Sequence, residues 1–411
     1  MSKGTILSGM RPTGRLHIGH LSVLENWAHM QKEYKCYFMV ADLHSLTTKF
    51  DDTAELANDT RLMVLDYLGA GIDPAKSAIF AQSAVKEHAE LHLYFSMNIP
   101  LGWLERCPTY KDQVAQFDKQ GKDITTYGFL GYPVLMSADI LLYQSDTVPV
   151  GEDQLPHLEL TREIARRFNF LYKTDLFPEP QALLGRFPLV PGVDGRKMSK
   201  SYGNDIAISA DTDEVRKRVN AMVTDPARVK KEDHGHPEVC IVHKYQEIYN
   251  NKLLEYIGKA CRGAERGCVA CKNELFEVLE DMLKPIRERR AQYEDNSYDA
   301  LRRYLLTARA DNDISDDDEF GDSDRKAETV IEEFKKFSAN APRKEKNYLR
   351  EIGQAIIDDY VNGVISLREV KEILEAKMDL VGLVLLKGRE RAREKAAQTI
   401  LQVRNVMNLR Y

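Results

Sequence analysis

Apolar positions open the chain as a short β-type run, Thr5-Ile-Leu-Ser between Gly4 and Gly9. The turn-forming Arg11-Pro-Thr-Gly-Arg then leads into an amphipathic stretch from about His17 to Lys32. Strand, loop and helix follow in that order. Residues 36–41 and 77–81 are continuous apolar runs of buried-strand length, each followed by polar residues and another helical pattern. This alternation predicts an α/β fold, a parallel sheet with helices on both faces. Helical periodicity covers 134–143 and 155–168. Beyond Ser201 strand-like runs largely stop, and 215–223, 242–260, 272–293 and 298–308 read as helices. The second half is therefore expected to be α.

Residues 311–324 hold eight carboxylates and no basic residue, which predicts an exposed, self-repelling linker. The spacing of Asp311, Asp313, Asp316 and Asp322 lacks the central glycine and terminal glutamate of a calcium loop. Two helical patterns follow, 328–337 and 348–378, before a basic helix from Gly388 to Tyr411. Length and composition fit this layout: 411 residues, 43% hydrophobic and 30% charged, suggest a soluble chain of two or three domains. The longest apolar stretch, 381–386, is far below the ~20 residues a membrane span needs, and residues 1–9 lack the apolar core of a secretory signal. A cytoplasmic location without membrane contact is expected. The net charge of −6 excludes a polybasic protein, though a local basic face would suffice for nucleic acid.

Two strings carry chemistry. His17-Ile-Gly-His20 sets two imidazoles at i and i+3 where a helix begins, and the free N–H groups there favour phosphate. Gly14 and Gly19 keep the approach open. Arg196-Lys-Met-Ser-Lys-Ser201 lies behind the glycine-rich 191–195, and lysines on such a mobile loop can follow a departing polyphosphate. Alone, a histidine pair is ordinarily structural and a short basic loop ordinarily a solvated turn. Together, in this order around an α/β half, the strings match the HIGH and KMSKS signatures of class I aminoacyl-tRNA synthetases without a mismatch. No histidine or acid beside Ser199 would activate it as a nucleophile.

Three segments narrow the resemblance: Ser8-Gly-Met-Arg-Pro-Thr-Gly14, Tyr132-Pro-Val-Leu-Met-Ser-Ala-Asp-Ile-Leu-Leu-Tyr143, and 148–162 with Gly-Glu-Asp-Gln at its centre. The chain resembles bacterial tryptophanyl-tRNA synthetases over nearly all of 4–310 and again over 383–411. The resemblance implies a Rossmann-type catalytic domain at 1–204 and a helical anticodon-binding domain at 205–310 plus 383–411. Residues 311–382 would be an insertion that the family lacks. It also implies a homodimer that uses ATP and Mg2+ to activate L-tryptophan and then charges tRNA(Trp). By the same resemblance Asp139 accepts the indole N–H, while His44, Tyr132, Met136, Val148, Val150 and Gln154 line the amino acid pocket. Gly9, Arg11, His17, Gly19, His20, Lys111, Gly151, Asp153, Lys197, Ser199 and Lys200 fall where ATP is held, with His17, His20, Lys111, Lys197 and Lys200 as the catalytic set. Arg11 stands where many members carry glutamine. In the last helix Lys387, Arg389, Arg391, Arg393 and Lys395, with Arg343 to Lys346 in the insertion, are candidates for tRNA phosphates or simply solvated faces.

Four of six cysteines, Cys240, Cys261, Cys268 and Cys271, crowd into one window, which asks for a metal rather than disulfides. Four thiolates suit tetrahedral zinc or a [4Fe–4S] cluster, and the cysteines alone leave both open. The spacing resembles that of the tryptophanyl-tRNA synthetases that hold a [4Fe–4S] cluster, and this implies the cluster. Competing functions are a tyrosyl-tRNA synthetase, a synthetase-like RNA-binding protein, or another nucleotidyltransferase with a HIGH motif. Met136 and Val150, which offer a phenol nothing, weigh against the first, and the intact Lys197 and Lys200 against the second. The helical second half weighs against the third.

Overall fold

The structure, a computed structural model, describes residues 2–119, 121–184, 189–230, 232–311, 332, 346–361, 364–376 and 379–409. Its centre is a five-stranded parallel sheet of β1 (Thr5–Met10), β2 (Lys35–Val40), β3 (Ser77–Ala81), β4 (Thr147–Val150) and β5 (Gln181–Leu184), in the order β3-β2-β1-β4-β5. Neighbouring residues on a strand feed opposite faces. Ile6, Phe38 and Ile79 enter one core while Leu7, Tyr37 and Phe80 enter the other. On the first face lie α1 (Leu21–Met30), α3 (Leu56–Gly69) and α12 (Cys268–Glu294). There the fully buried Trp27 stacks on Phe38 at 4.7 Å and meets Tyr67 edge-on at 5.3 Å. Truncating such a residue to alanine costs about 3–5 kcal/mol. On the second face lie α4 (Glu87–Ser96), α7 (Tyr127–Leu142) and α8 (Leu155–Tyr172). The strand order reverses between β1 and β4, and ligands in such sheets bind in the crevice opened at that point.

The α/β reading of the first half and the helical reading of the second both hold, with differences at particular elements. β4 and β5 are strands that the pattern hid: both are short, and Pro149 sits inside β4. The run 242–260 is two helices, Ile241–Tyr249 and Leu254–Arg262, broken at Asn250. The run 348–378 is also two, Lys346–Val361 and Leu367–Glu375. Ser366 starts the second with a capping box in which its side chain and that of Glu369 bond each other's backbone N–H. The linker 312–324, the pattern 328–337 apart from Glu332, and Arg343 lie outside the described residues, as does the side chain of Lys346.

The last helix, Leu380–Val406, starts eight residues before Gly388, with Asp379 as its cap. It packs on β3, so closely at Gly388 that any Cβ would collide with the backbone of Ile79. Its cations have partners within the chain. Arg391 donates to the carbonyls of Pro74, Ala75 and Ser77, Arg393 pairs with Glu87, and Lys395 bonds Gln144. Lys387 pairs with Glu372 and Arg389 with Glu375. A third core joins this helix to α13 (Tyr298–Asp311) and the two preceding helices through Leu301, Leu305, Ile356, Val370, Ile373 and Leu383. Among the described residues no helix is long and apolar enough to cross a membrane.

Candidate active site

A cavity of about 410 Å³ opens at the carboxyl ends of β1 and β4. All seven residues expected to hold the amino acid line it: His44, Tyr132, Met136, Asp139, Val148, Val150 and Gln154. So do Gly9, Arg11 and Gly151 of the ATP set. At its floor the buried Asp139 carboxylate receives His44 Nε2 at 2.8 Å and His88 Nδ1 at 2.7 Å. Gln82 Nε2 bonds both of its oxygens at 2.8 and 3.0 Å. Burial alone would lift this carboxyl, but the bonds from His44 and His88 outweigh it and hold the group at about 2. It is an anion at neutral pH. On the wall, the Tyr132 hydroxyl and His157 Nε2 stand 3.1 Å apart.

The two motif loops meet through main chain. Ile18 N–H bonds the Ile206 carbonyl at 2.9 Å and Ile208 N–H the Leu16 carbonyl at 2.9 Å, so the HIGH loop is pinned to the strand-like segment after the basic loop. The rings of His17 and His20 lie 3.9 Å apart, and Lys200 Nζ reaches the Thr13 carbonyl at 2.5 Å beside them. Gly19 admits the His17 ring: an added Cβ would lie 3.0 Å from it. Burial lowers both histidines, His17 to about 3 with help from His20 and Lys200, and His20 to about 4. Both are neutral at pH 7. His20 Nδ1 stands 3.3 Å from the His17 backbone nitrogen and 3.2 Å from the His17 carbonyl oxygen, so it meets a main-chain partner in either tautomer. Lys200 is lowered too, mainly by burial.

Lys197 and Lys111 are exposed and do not line the cavity, although Gln113 from the same helix as Lys111 does. Ser199 Oγ pairs with Ser201 Oγ at 2.7 Å. The side chain of Asp153 lies outside the described residues. Four working residues escaped the sequence reading. Gln82 and His88 orient Asp139. Asp66, fully buried, accepts the Leu16 N–H at 2.5 Å and pairs with Arg290 of α12, with burial holding its carboxyl above the usual range. Asn204 ties the basic loop together, donating to Asp194 Oδ1 at 2.7 Å and to the Lys197 carbonyl at 3.1 Å while accepting Ser199 N–H at 2.8 Å. The only signal for Asn204 was its place in Lys-Ser-Tyr-Gly-Asn, three residues past the motif.

The family of class I tRNA synthetases for tryptophan and tyrosine matches residues 2–284. The tryptophan–tRNA ligase of Thermotoga maritima is 52% identical over 287 residues, spanning 69% of this chain and 87% of that one. That of Aquifex aeolicus is 43% identical over 359 residues, spanning 70% and 91%. The chain belongs to the tryptophan–tRNA ligases. It is a class I aminoacyl-tRNA synthetase, with L-tryptophan and tRNA(Trp) as substrates and ATP and Mg2+ as the expected co-reactants. A tryptophanyl-tRNA synthetase from Campylobacter jejuni, solved with ADP and tryptophan, superposes with a TM-score of 0.68 at 26% identity and covers 98% of this chain and 99% of that one.

The helical half of this ligase carries a second feature. Cys240, Cys261, Cys268 and Cys271 line one small cavity, with Arg228 Nη1 3.8 Å from Cys261 Sγ and Gln246 Nε2 4.0 Å from Cys271 Sγ. Yet among the described residues no three His, Cys, Asp or Glu side chains draw together around a single metal ion.

Proposed function

We propose that this ligase forms tryptophanyl-adenylate in the β1/β4 cavity, with Asp139 as acceptor for the indole N–H. The observation that carries this reading is the convergence of all seven tryptophan-pocket residues on one cavity around a buried anionic carboxylate. A buried acceptor favours tryptophan because phenylalanine brings no N–H to it. Met136 and Val150 give tyrosine no polar partner.

In the first half-reaction the tryptophan carboxylate attacks the ATP α-phosphorus and pyrophosphate leaves. In the second a hydroxyl of the tRNA 3′ adenosine attacks the activated carbonyl and AMP leaves. No protein nucleophile is needed. His17 and His20, kept neutral by burial, act as hydrogen-bond donors toward phosphate oxygens, and Lys200, Lys197 and Lys111 supply positive charge to the departing polyphosphate. Gly9, Arg11, Gly19, Gly151, Asp153 and Ser199 hold the nucleotide. Magnesium, which binds largely through substrate phosphates and water, would add charge stabilisation without a dedicated protein cage. Pyrophosphate exchange tests the reading: tryptophan should support strong exchange and tyrosine weak exchange, and Asp139→Ala should lose that discrimination. Stronger exchange with tyrosine would overturn it.

We further propose that the four cysteines hold a [4Fe–4S] cluster that shapes the anticodon-binding surface of the helical half. Four sulfurs lining a shared cavity, with Arg228 and Gln246 beside two of them, support a group held in common, and the resemblance of the cysteine spacing favours the cluster over zinc. The group would contribute folding free energy, since α12 begins at Cys268. Anaerobic purification should give brown protein with about four iron per chain; colourless protein with one zinc would refute this. Exposed Leu93, Met97 and Leu101 near the α4 C-terminus support a homodimer, which sedimentation would test.

A further inference from the structure

Asp139 offers no empty place to an incoming N–H. A carboxylate has about four acceptor positions. Here His44, His88 and both bonds from Gln82 fill them. Tryptophan can reach this oxygen pair only if one of these donors leaves. His88 has no exposed surface and is held on both sides, by Asp139 through Nδ1 and by the Tyr143 hydroxyl through Nε2 at 2.9 Å. Gln82 is also fully buried, and its carbonyl oxygen accepts the His44 backbone N–H at 3.3 Å. His44 differs from both. Its side chain keeps 13% of its surface exposed and lines the cavity, whereas His88 and Gln82 do not.

We propose that His44 is a displaceable stand-in for the indole N–H: it occupies the cavity-side acceptor position of Asp139 in the free enzyme, and tryptophan enters by exchange with it. The inference rests on the assignment of Asp139 as the indole acceptor. Exchange explains how a carboxylate stays buried and ionised in an empty pocket without an unpaired lone pair. It also sharpens selection, because a ligand without a ring N–H breaks the His44 bond and returns nothing.

Equilibrium dialysis of the full-length protein with labelled tryptophan tests this. His44→Ala removes the competing donor, so tryptophan should bind about threefold or more tightly than to wild type. An unchanged or weaker affinity in His44→Ala would overturn the proposal. Because that variant can fail to fold, imidazole NMR signals of the wild type give a second reading: tryptophan at pH 7.5 should move those of His44 and leave those of His88 nearly in place. The reverse pattern would also overturn it. Asp139→Ala separates the two inferences. If that variant binds tryptophan as tightly as wild type, the acceptor assignment itself fails, whatever His44 does.

Discussion

Asn204 makes three side-chain hydrogen bonds that close the basic loop, and the loop's lysines depend on that closure for their aim. Replacing it with alanine leaves the Ser199 N–H and the Lys197 carbonyl without these partners, a loss of about 1–3 kcal/mol of loop order. Asn204→Ala should therefore lower adenylate formation about 10- to 100-fold while tryptophan dissociation changes less than about threefold, which pyrophosphate exchange and dialysis would separate. Lys200→Ala should show the same split, and equal losses in both measurements would indicate misfolding. His17 and His20 make a different prediction. Their folded forms take up protons only at about 4 or below, whereas unfolded histidines do so near 6.5, so below that pH the unfolded state binds more protons. Stability should be full above pH 6.5 and fall on the acid side, by roughly 1 kcal/mol per histidine by pH 5.5. A Tm unchanged between pH 7.5 and 5.5 would contradict this. The histidines and lysines were legible because their motifs are local strings. Gln82 and His88 were not, because they meet Asp139 across 57 and 51 residues and no local spacing marks them.

At the level of elements, the contact between the last helix and β3 depends on one residue without a side chain. Gly388→Leu would drive a side chain into the backbone of Ile79, and overpacking of this kind costs about 1–3 kcal/mol or more. The expected outcome is a Tm several degrees lower, with pyrophosphate exchange per folded molecule preserved; a wild-type Tm would show that the helix can shift aside. The helix's basic residues read as an unpaired face because sequence displays charge but hides partners. Glu87, Glu372 and Glu375 come from other segments. β1, β2 and β3 announced themselves as apolar runs. β4 and β5 owe their strand form to pairing with neighbours, which a tertiary sheet imposes on four-residue segments regardless of local preference.

Across the whole molecule the helices Lys346–Val361 and Leu367–Glu375 are joined to the rest by a shared core. Leu301 and Leu305 of α13 and Leu383 of the last helix pack with Ile356, Val370 and Ile373. Removal of 312–345 with a flexible bridge should leave tryptophan activation close to wild type, since that stretch holds no residue of either motif and none that lines the cavity among the described residues. Extending the deletion through residue 378 should expose those leucines and cut the soluble yield, a contrast that expression and pyrophosphate exchange would read together. A long-range feature also bears on how the chain is made. Arg391 closes on the carbonyl of Ala75 across 316 residues, so β3 leaves the ribosome long before the helix that packs on it. At about 5–20 residues per second, that interval lasts on the order of 15–60 s. Throughout it the nascent chain displays Phe80 and Tyr37 without the apolar residues Ala392 and Ala396 that complete their core. A ribosome that stalls before residue 380 thus holds both catalytic motifs on a sheet whose β3 lacks its covering helix, a substrate for chaperones rather than for tRNA.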